Sequence, residues 1–218
     1  MVTAQNLVPV SPGLIYTPHS YVEPIDLGGI FGTIQPLEVE LGSGDGSFLV
    51  QWAQLHREHN FIGVERLLGR LRKLDRKGAR AGLSNLRALR IEASYFMEYM
   101  APPASVCVLH VYFPDPWPKR KHRRHRLVNE RFVQAAATTV VPGGLIYFRT
   151  DDLDYFAQMN SVFGADARFH ATNTPDELSA VVTDFERGFL ARGVRTLRSA
   201  WQRISQKEQV NRERPQRS

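Results

Sequence analysis

The sequence predicts an α/β fold built on a mostly parallel, seven-stranded sheet with helices on both faces. Between Leu37 and Trp201, short apolar runs alternate with segments whose apolar residues recur at helical spacing. Such alternation is typical of βαβ units, whose strands run parallel. The run Val106–Phe113 is apolar almost throughout, which indicates a central strand covered on both faces.

The individual elements follow from local signals. In the segment 66–81, leucines recur on one side with basic residues elsewhere, which indicates an amphipathic helix. The segment 127–140 ends at Pro142-Gly143-Gly144, a helix stop signal. Thr174-Pro175 followed by Glu177 has the spacing of a capping box that opens a helix. The predicted strands are 37–41, 61–65, 86–91, 106–113, 145–150, 167–172 and 194–201, and the predicted helices are 47–58, 66–81, 127–140, 151–163 and one that begins at Thr174.

Composition divides the 218 residues into three segments. Residues 1–36 are rich in Pro and Gly and contain no Lys or Arg, so we expect an irregular N-terminal arm. Residues 37–201 carry the α/β pattern and form the predicted domain. Residues 202–218 are polar and basic, and we expect a flexible tail.

Charge and cysteine content restrict the class of protein. With 28 Lys and Arg against 22 Asp and Glu, the net charge is +6, and a basic balance suits a polyanionic partner. The one cysteine, Cys107, excludes disulfides and thiolate metal sites. No apolar run approaches the roughly 18 residues of a membrane span, and the N-terminus has no secretory signal pattern. We therefore expect a cytoplasmic protein, either a monomer or a homodimer, without a membrane association.

The most unusual stretch follows the predicted central strand. A proline-rich corner presents Asp115 and Trp117, and the next eight residues, Lys119–Arg126, hold six Lys or Arg side chains; we call these eight residues the basic run. Alone, such a run is typical of a solvated loop or a localisation signal. Directly beside a strand-end acid, it favours a nucleic-acid contact next to a reaction site.

A second stretch, Gly42–Gly46, places glycines at alternate positions after the first predicted strand; we call it the glycine loop. Neither a dinucleotide fingerprint nor a phosphate loop is present. Glu40, two residues before Gly42, would repel a pyrophosphate and suits a cationic ligand that carries an ammonium and a sulfonium. Glu65 and Glu92 end the next two predicted strands, and ligands bind at the carboxyl ends of such strands. A nicotinamide cofactor, or a glycine-rich turn without a ligand, remains an alternative.

The glycine loop and the strand-end acids resemble those of class I S-adenosylmethionine-dependent methyltransferases, which have a Rossmann-like fold. The motif Phe-Pro-Asp-Pro-Trp-Pro-Lys at 113–119, followed by the pattern K-x-K-H-x-x-x-R-L, resembles more specifically the tRNA (guanine-N7)-methyltransferase family. The resemblance extends from about Leu37 to Arg192. It includes Pro142-Gly143-Gly144, Thr150-Asp151 and the block Thr183–Glu186, which we call the substrate block.

The resemblance implies methyl transfer from S-adenosylmethionine to N7 of a guanosine in tRNA, expected in the variable loop. The N7 atom has a lone pair and no proton, so the reaction needs in-line positioning and no general base. Carboxylates near both ends of the transfer stabilise the moving positive charge, and the basic run neutralises tRNA phosphates. By resemblance, the cofactor-binding residues are Glu40, Gly42, Gly44, Glu65, Glu92 and Asp115, the catalytic residue is Asp115, and the substrate-binding residues are Lys119, Asp151, Thr183 and Glu186.

The chain departs from the family pattern at three places. The basic N-terminal arm is not recognisable, Asp184 stands where the substrate block usually has Lys, and His125 stands where a third cation is common. Two other functions therefore stay open: a basic nucleic-acid-binding module without catalysis, and a methyltransferase that acts on a substrate other than tRNA. We expect no metal site, because His56 with His59, and His122 with His125, lack a clear third ligand.

Three further residues have simple structural interpretations. His110 lies inside the predicted central strand, so we expect a core histidine with its hydrogen bonds satisfied. Asp75 lies among the cations of the predicted helix 66–81, so we expect a charge pair within that helix. Trp117 either stacks on a base or packs at the corner.

Overall fold

The computed structural model describes residues 13–205, and these form one eight-stranded sheet with helices on both faces. The prediction of a mostly parallel sheet is confirmed, whereas the predicted number of seven strands is wrong by one. The strands are β1 (Ile15–Tyr16), β2 (Leu37–Leu41), β3 (Asn60–Val64), β4 (Leu86–Leu89), β5 (Val106–Tyr112), β6 (Val140–Thr150), β7 (Phe169–Thr172) and β8 (Leu197–Arg203).

Helices connect most of these strands. In chain order they are α1 (Leu27–Phe31), α2 (Leu49–Leu55), α3 (Leu68–Arg80), α4 (Ala93–Tyr95, continued by a π-helical turn over Phe96–Met100), α5 (Glu130–Thr139), α6 (Leu153–Gly164), α7 (Asp176–Ala180) and α8 (Asp184–Leu190), with a 3₁₀ helix over Arg120–His125. No helix among residues 13–205 combines the length and apolarity needed to cross a membrane.

The order of strands places a crevice at the middle of the sheet. The order is β1-β4-β3-β2-β5-β6-β8-β7, with β8 antiparallel to both its neighbours. Because β3 and β4 continue from one side of β2, and β5 and β6 from the other, the strand order switches direction between β2 and β5. Leu41 pairs with Val64 and with Val111, so these strands end at one edge of the sheet. Ligands of parallel α/β sheets bind above such a switch point.

The extra strand comes from the N-terminal segment. β1 pairs with β4 in parallel, and the Leu14 N–H donates to Asp75 Oδ1 over 2.6 Å. The expected charge pair of Asp75 within α3 is thus replaced by a contact with a residue far away in the sequence. A Cβ on Gly78 would lie 2.3 Å from Leu14 Cδ1, so the absence of a side chain at Gly78 lets this segment pack on α3.

Two predicted boundaries are wrong. β6 begins at Val140 and continues through Pro142-Gly143-Gly144, and its register against β5 shifts between Val106 and Val108. The three residues therefore form an irregularity inside a strand, a position that glycine allows. At Thr174, α7 has no side-chain cap, whereas the capping box lies at the start of α8.

The two faces of the sheet have separate cores. On one face, α2 and α3 pack against strand residues such as Phe61, and on the other, α5 and α6 pack against residues such as Val39. A polar network lies between the strands. As predicted, His110 is buried with both ring nitrogens satisfied: Nδ1 lies 2.8 Å from the Tyr112 hydroxyl and Nε2 lies 2.7 Å from Glu38 Oε2.

We predict that the Glu38 network makes the fold sensitive to acid. Burial would raise the pKa of Glu38, but hydrogen bonds from His110, His59 and Trp52 lower it to about 2. The stability that Glu38 contributes is therefore fully present above pH 4.5, its ordinary pKa, and is lost as the pH falls toward 2. The loss over this window should be roughly 3 kcal/mol.

Urea unfolding between pH 6 and pH 3 checks this prediction. Glu38→Gln should be less stable than the wild type at pH 6 and should lose less stability between pH 4.5 and pH 3, because no carboxylate titrates at position 38. Equal pH dependence of the free energy of unfolding in the two proteins would contradict the assignment. Burial also lowers the pKa of His110, so both proteins should lose some stability as the pH falls below about 6.5.

Candidate active site

A cavity of about 400 Å³ lies above the switch point between β2 and β5. This volume falls in the range of small-molecule sites. The cavity has an acidic side, formed by residues that follow β3, β4 and β5, and a mixed side formed by the start of α3 and the aromatic corner after β5. It is lined by Leu41, Gly42, Val64, Glu65, Arg66, Leu67, Arg70, Ile91, Glu92, Ala93, Tyr112, Phe113, Pro114, Asp115, Trp117, His125 and Leu127.

The glycine loop forms the floor beside β2. Gly42 and Gly44 have φ values of +75° and +56°, a region that residues with a side chain rarely adopt. Nothing lies within 4 Å of a Cβ built on Gly42, so its backbone is open to a ligand. Gly46 instead allows close packing, because a Cβ built at this position would lie 2.7 Å from Leu74 Cγ of α3. The loop is therefore both packed on α3 and open toward the cavity.

Glu65 and Glu92 hold backbone at two other strand ends. Glu65 is buried, and it accepts from the Gly44 N–H over 3.1 Å and from the Leu67 N–H over 2.7 Å. Glu92 caps α4 by accepting from the Tyr95 N–H over 2.9 Å. Both residues also line the cavity. Each carboxylate is thus fixed by the chain itself, and each has acceptor capacity left for a ligand.

Glu40 lies behind the glycine loop and is 4% exposed. Its Oε2 has no hydrogen-bond partner among residues 13–205, an unusual state for a buried carboxylate. Burial raises its pKa well above the ordinary value, and the nearby carboxylates of Asp45 and Glu65 act in the same direction, while Arg149 opposes them. A cationic ligand above Gly42 would compensate this concentration of acid.

The corner after β5 is held in a strained conformation. Phe113 and Trp117 have φ values of +49° and +44°, which are rare for bulky side chains. Such backbone is found at functional sites where the surrounding structure enforces it. The two residues bracket Asp115, which is exposed and lines the cavity. Trp117 packs against the rings of His122 and His125, with the nearer centroid 5.3 Å away.

The basic run is divided between surface and interior. Arg126 is 2% exposed and donates to the Pro116 carbonyl, to Gln158 and to Asp154. It thereby fastens the corner to α6, and the expectation that the whole run contacts phosphate is wrong at this residue. The members that are exposed are Lys119, Arg120, Lys121, Arg123, Arg124 and His125.

The substrate block begins α8. Thr183 is buried and accepts from the Glu186 N–H over 3.0 Å. Glu186 is fully buried, and its carboxylate accepts from Arg149 over 3.0 Å and from Arg198. Arg149 also donates to the carbonyls of Leu178 and Val181 and lies over the Tyr112 ring. This buried arginine therefore connects α7 and α8 to the strands that end at the cavity.

Comparison with known proteins identifies the family. A family model described as "Putative methyltransferase" matches residues 34–198. The tRNA (guanine-N(7)-)-methyltransferase of Syntrophotalea carbinolica is 32% identical over 193 residues, which cover 87% of this chain and 83% of that protein. The protein of the same name from Thiobacillus denitrificans is 32% identical over 203 residues, which cover 91% of this chain and 86% of that protein. The chain belongs to the tRNA (guanine-N(7)-)-methyltransferase family.

Solved structures agree on the fold of this family member. The 16S rRNA methyltransferase KamB superposes with a TM-score of 0.59 at 16% identity, over 80% of this chain and 90% of that one. The structure of TrmN from Thermus thermophilus superposes with a TM-score of 0.56 at 16% identity, over 78% of this chain and 45% of that one. The Rossmann-like class I methyltransferase fold predicted from the sequence is confirmed.

The predicted site residues divide into those that line the cavity and those that lie around it. Gly42, Glu65, Glu92 and Asp115 line it. Glu40 and Gly44 are buried and do not line it, and Lys119 and Asp151 are exposed and do not line it either. Thr183 and Glu186 are buried in the contact between α8 and the sheet and do not line the cavity.

Sequence reasoning missed Arg149, and it counted Arg126 with the surface cations. The available signal for Arg149 was a charged residue inside an apolar strand, Leu145–Thr150, since a buried charge needs partners. Nothing in the sequence separated Arg126 from the five cations before it. Within residues 13–205, no three His, Cys, Asp or Glu side chains are grouped in a way that could hold a metal ion.

Proposed function

We propose that this protein transfers a methyl group from S-adenosylmethionine to N7 of a guanosine in the variable loop of tRNA. The observation that carries the proposal is the cavity at the switch point, where a glycine loop and three strand-end acids lie beside an exposed basic run. The family membership supports the same reaction. We further propose that residues 37–201 form the methyltransferase domain and that the protein acts in the cytoplasm.

The residues of the cavity fit the cofactor. S-adenosylmethionine, when bound, supplies a methyl group activated by a sulfonium. Gly42 offers open backbone, and the unpartnered Glu40 oxygen below it provides negative charge for a cationic amino-acid group. Glu65 would accept from ribose hydroxyls, and Glu92 lies on the part of the wall that also contains Ile91, where an adenine would bind.

Asp115 and Asp151 would act on the guanine. Their strands, β5 and β6, are neighbours that pair in register up to Tyr112 and Arg149, so both acids follow adjacent strand ends. The exposed carboxylate of Asp115 can stabilise positive charge as it moves from the donor to the purine. Carboxylates also accept from the N1 and N2 positions of guanine, which adenine does not offer as donors. No proton has to be removed from N7, so the site needs no general base.

The substrate block would act through position. We propose that Thr183 and Glu186 shape the start of α8, because their side chains are occupied by the capping box and by Arg149. Lys119 and the exposed part of the basic run would contact tRNA phosphates, which provides affinity without sequence information.

Incubation with methyl-labelled S-adenosylmethionine and bulk tRNA tests the proposal. We expect label in tRNA, and aniline-induced cleavage at a variable-loop guanosine, because N7-methylguanosine is sensitive to this treatment. Label in tRNA without aniline-sensitive sites would contradict N7 as the acceptor atom. Cofactor binding without label in tRNA would favour a substrate other than tRNA, and the absence of cofactor binding would favour a non-catalytic nucleic-acid-binding protein.

A further inference from the structure

A second concentration of positive charge lies on α3, outside the basic run. This helix contains six Lys or Arg residues and one acid, Asp75. Leu71, Leu74 and Gly78 are its buried residues, so the cations occupy the remaining surface. Arg70, Arg72, Lys73, Arg76 and Arg80 are exposed.

Most of these cations form no ion pair with residues 13–205. The only carboxylate of the helix, Asp75, accepts from the backbone of Leu14. Lys77 is paired with Asp45 over 2.7 Å and lies 3.7 Å from Asp184. Among residues 13–205, no carboxylate forms an ion pair with Arg72, Arg76 or Arg80. The positive charge of this face is therefore available to a partner.

The position of α3 relative to the cavity distinguishes it from an ordinary solvated helix. Arg66, two residues before α3, and Arg70, in its first turn, line the cavity together with Trp117 and His125 from the opposite wall. The cavity mouth is thus flanked by two cationic segments that are distant in sequence. A substrate that is a polyanion and that delivers one residue into the cavity would pass over both.

The spacing of the cations suits a chain of phosphates. Side chains three or four positions apart on a helix have Cβ atoms about 5–6 Å apart, and Arg72, Arg76 and Arg80 follow this spacing. A 13-residue helix such as α3 extends for about 20 Å. An RNA strand carries several phosphates over that length, and each can be neutralised by one Lys or Arg.

We propose that the exposed cations of α3 form a second phosphate-binding surface for the RNA substrate. Phosphates on one side of the target guanosine contact the basic run, and phosphates on the other side contact Arg72, Arg76 and Arg80. This inference rests on the proposed function, because it assigns a second surface to the same tRNA. The two segments together would fix the direction in which the strand crosses the cavity.

The double variant Arg72→Gln/Arg76→Gln tests the inference against a control that removes equal charge. Arg168→Gln/Arg203→Gln is that control, because both arginines lie where β7 pairs with β8 at one end of the sheet, whereas α3 packs beside β1 and β4 at the other end. We expect the α3 variant to bind tRNA about tenfold more weakly near 0.1 M salt and to reduce the slope of log K against log salt by about 1.5. Its KM for tRNA should rise, with kcat at saturating tRNA unchanged.

The outcomes distinguish failure of the α3 surface from failure of the proposed methyl transfer. If the α3 variant matches the control in affinity and salt slope while the wild type methylates tRNA, the inference is wrong and the proposed function stands. If the wild type transfers no methyl group to tRNA, both fail. Arg120→Gln/Lys121→Gln, added to the α3 variant, should lower the affinity for tRNA further, because free-energy changes at distant sites are additive. If the combined variant shows no additional loss of affinity, the two cationic segments are not separate surfaces.

Discussion

Asp115→Ala is expected to lower kcat/KM for methyl transfer to tRNA by about 100-fold or more, the usual cost of removing one electrostatic stabiliser of a transition state. Asp115 lines the cavity between two residues held at positive φ, and its side chain is exposed. Because surface substitutions of this kind change stability little, the free energy of unfolding and the affinity for tRNA should stay close to those of the wild type.

Two further variants separate charge from shape. Asp115→Asn keeps the size of the side chain and removes its charge, so it should lose nearly as much activity as Asp115→Ala. Asp176→Ala removes an exposed acid that does not line the cavity and should retain full activity. Steady-state methylation assays check both. Removal of an electrostatic stabiliser usually lowers the rate by about 100-fold or more. If Asp115→Asn instead keeps turnover within about threefold of the wild type, the negative charge of Asp115 is not needed.

Arg149→Met is expected to lower the free energy of unfolding by about 3–5 kcal/mol, as removal of one member of a buried ion pair usually does. Arg149 is 1% exposed and donates to Glu186 and to the carbonyls of Leu178 and Val181. Its loss would leave these acceptors buried with fewer donors. Because the substrate block begins the helix that Glu186 anchors, the KM for tRNA should also rise, even where the variant remains folded.

Two other variants show whether the loss of stability comes from the contact between Arg149 and Glu186. Arg198 donates to the other oxygen of Glu186 from a more exposed position, so Arg198→Gln should cost less stability than Arg149→Met. The double variant Arg149→Met/Glu186→Gln should recover only part of the loss, because it removes the buried carboxylate but leaves Arg198 without this partner at a half-buried position. Chemical denaturation measures all three. If the free energy of unfolding of Arg149→Met lies within about 1 kcal/mol of the wild type, the usual cost of breaking a buried ion pair is absent. That result would contradict the structural role of the Arg149–Glu186 pair.

The sequence was most informative where the chemistry of the site coincides with strand ends. The glycine loop, Glu65, Glu92 and Asp115 each follow a strand of a parallel sheet, and such a sheet brings all its carboxyl ends to one edge. Alternation of apolar and helical segments therefore predicted both the fold and the neighbourhood of these acids. The family resemblance of the motif at 113–119 added the reaction, which the residue types alone left open.

Other features depend on contacts between distant residues. Nothing local marks Arg126 as buried, because its partners on α6 lie about thirty positions later in the chain. The sequence around Glu186 does not show that its carboxylate is paired, because its partner Arg149 is distant in the chain. β1 has two residues, too few for a periodic pattern. Its position depends on Leu14, which donates to Asp75 and packs against Gly78. The bulge at Pro142-Gly143-Gly144 has the composition of a loop, but pairing with β5 continues on both sides.

The most direct test of the proposed function uses a tRNA transcript in which the variable-loop guanosine is replaced by 7-deazaguanosine. This analogue changes only the acceptor, since carbon takes the place of N7 and the pairing edge stays intact. We predict that the protein binds this tRNA with unchanged affinity and transfers no methyl group to it, while the guanosine transcript is methylated. Equal methyl transfer to both transcripts would contradict N7 of that guanosine as the acceptor, and with it the reaction assigned to this cavity.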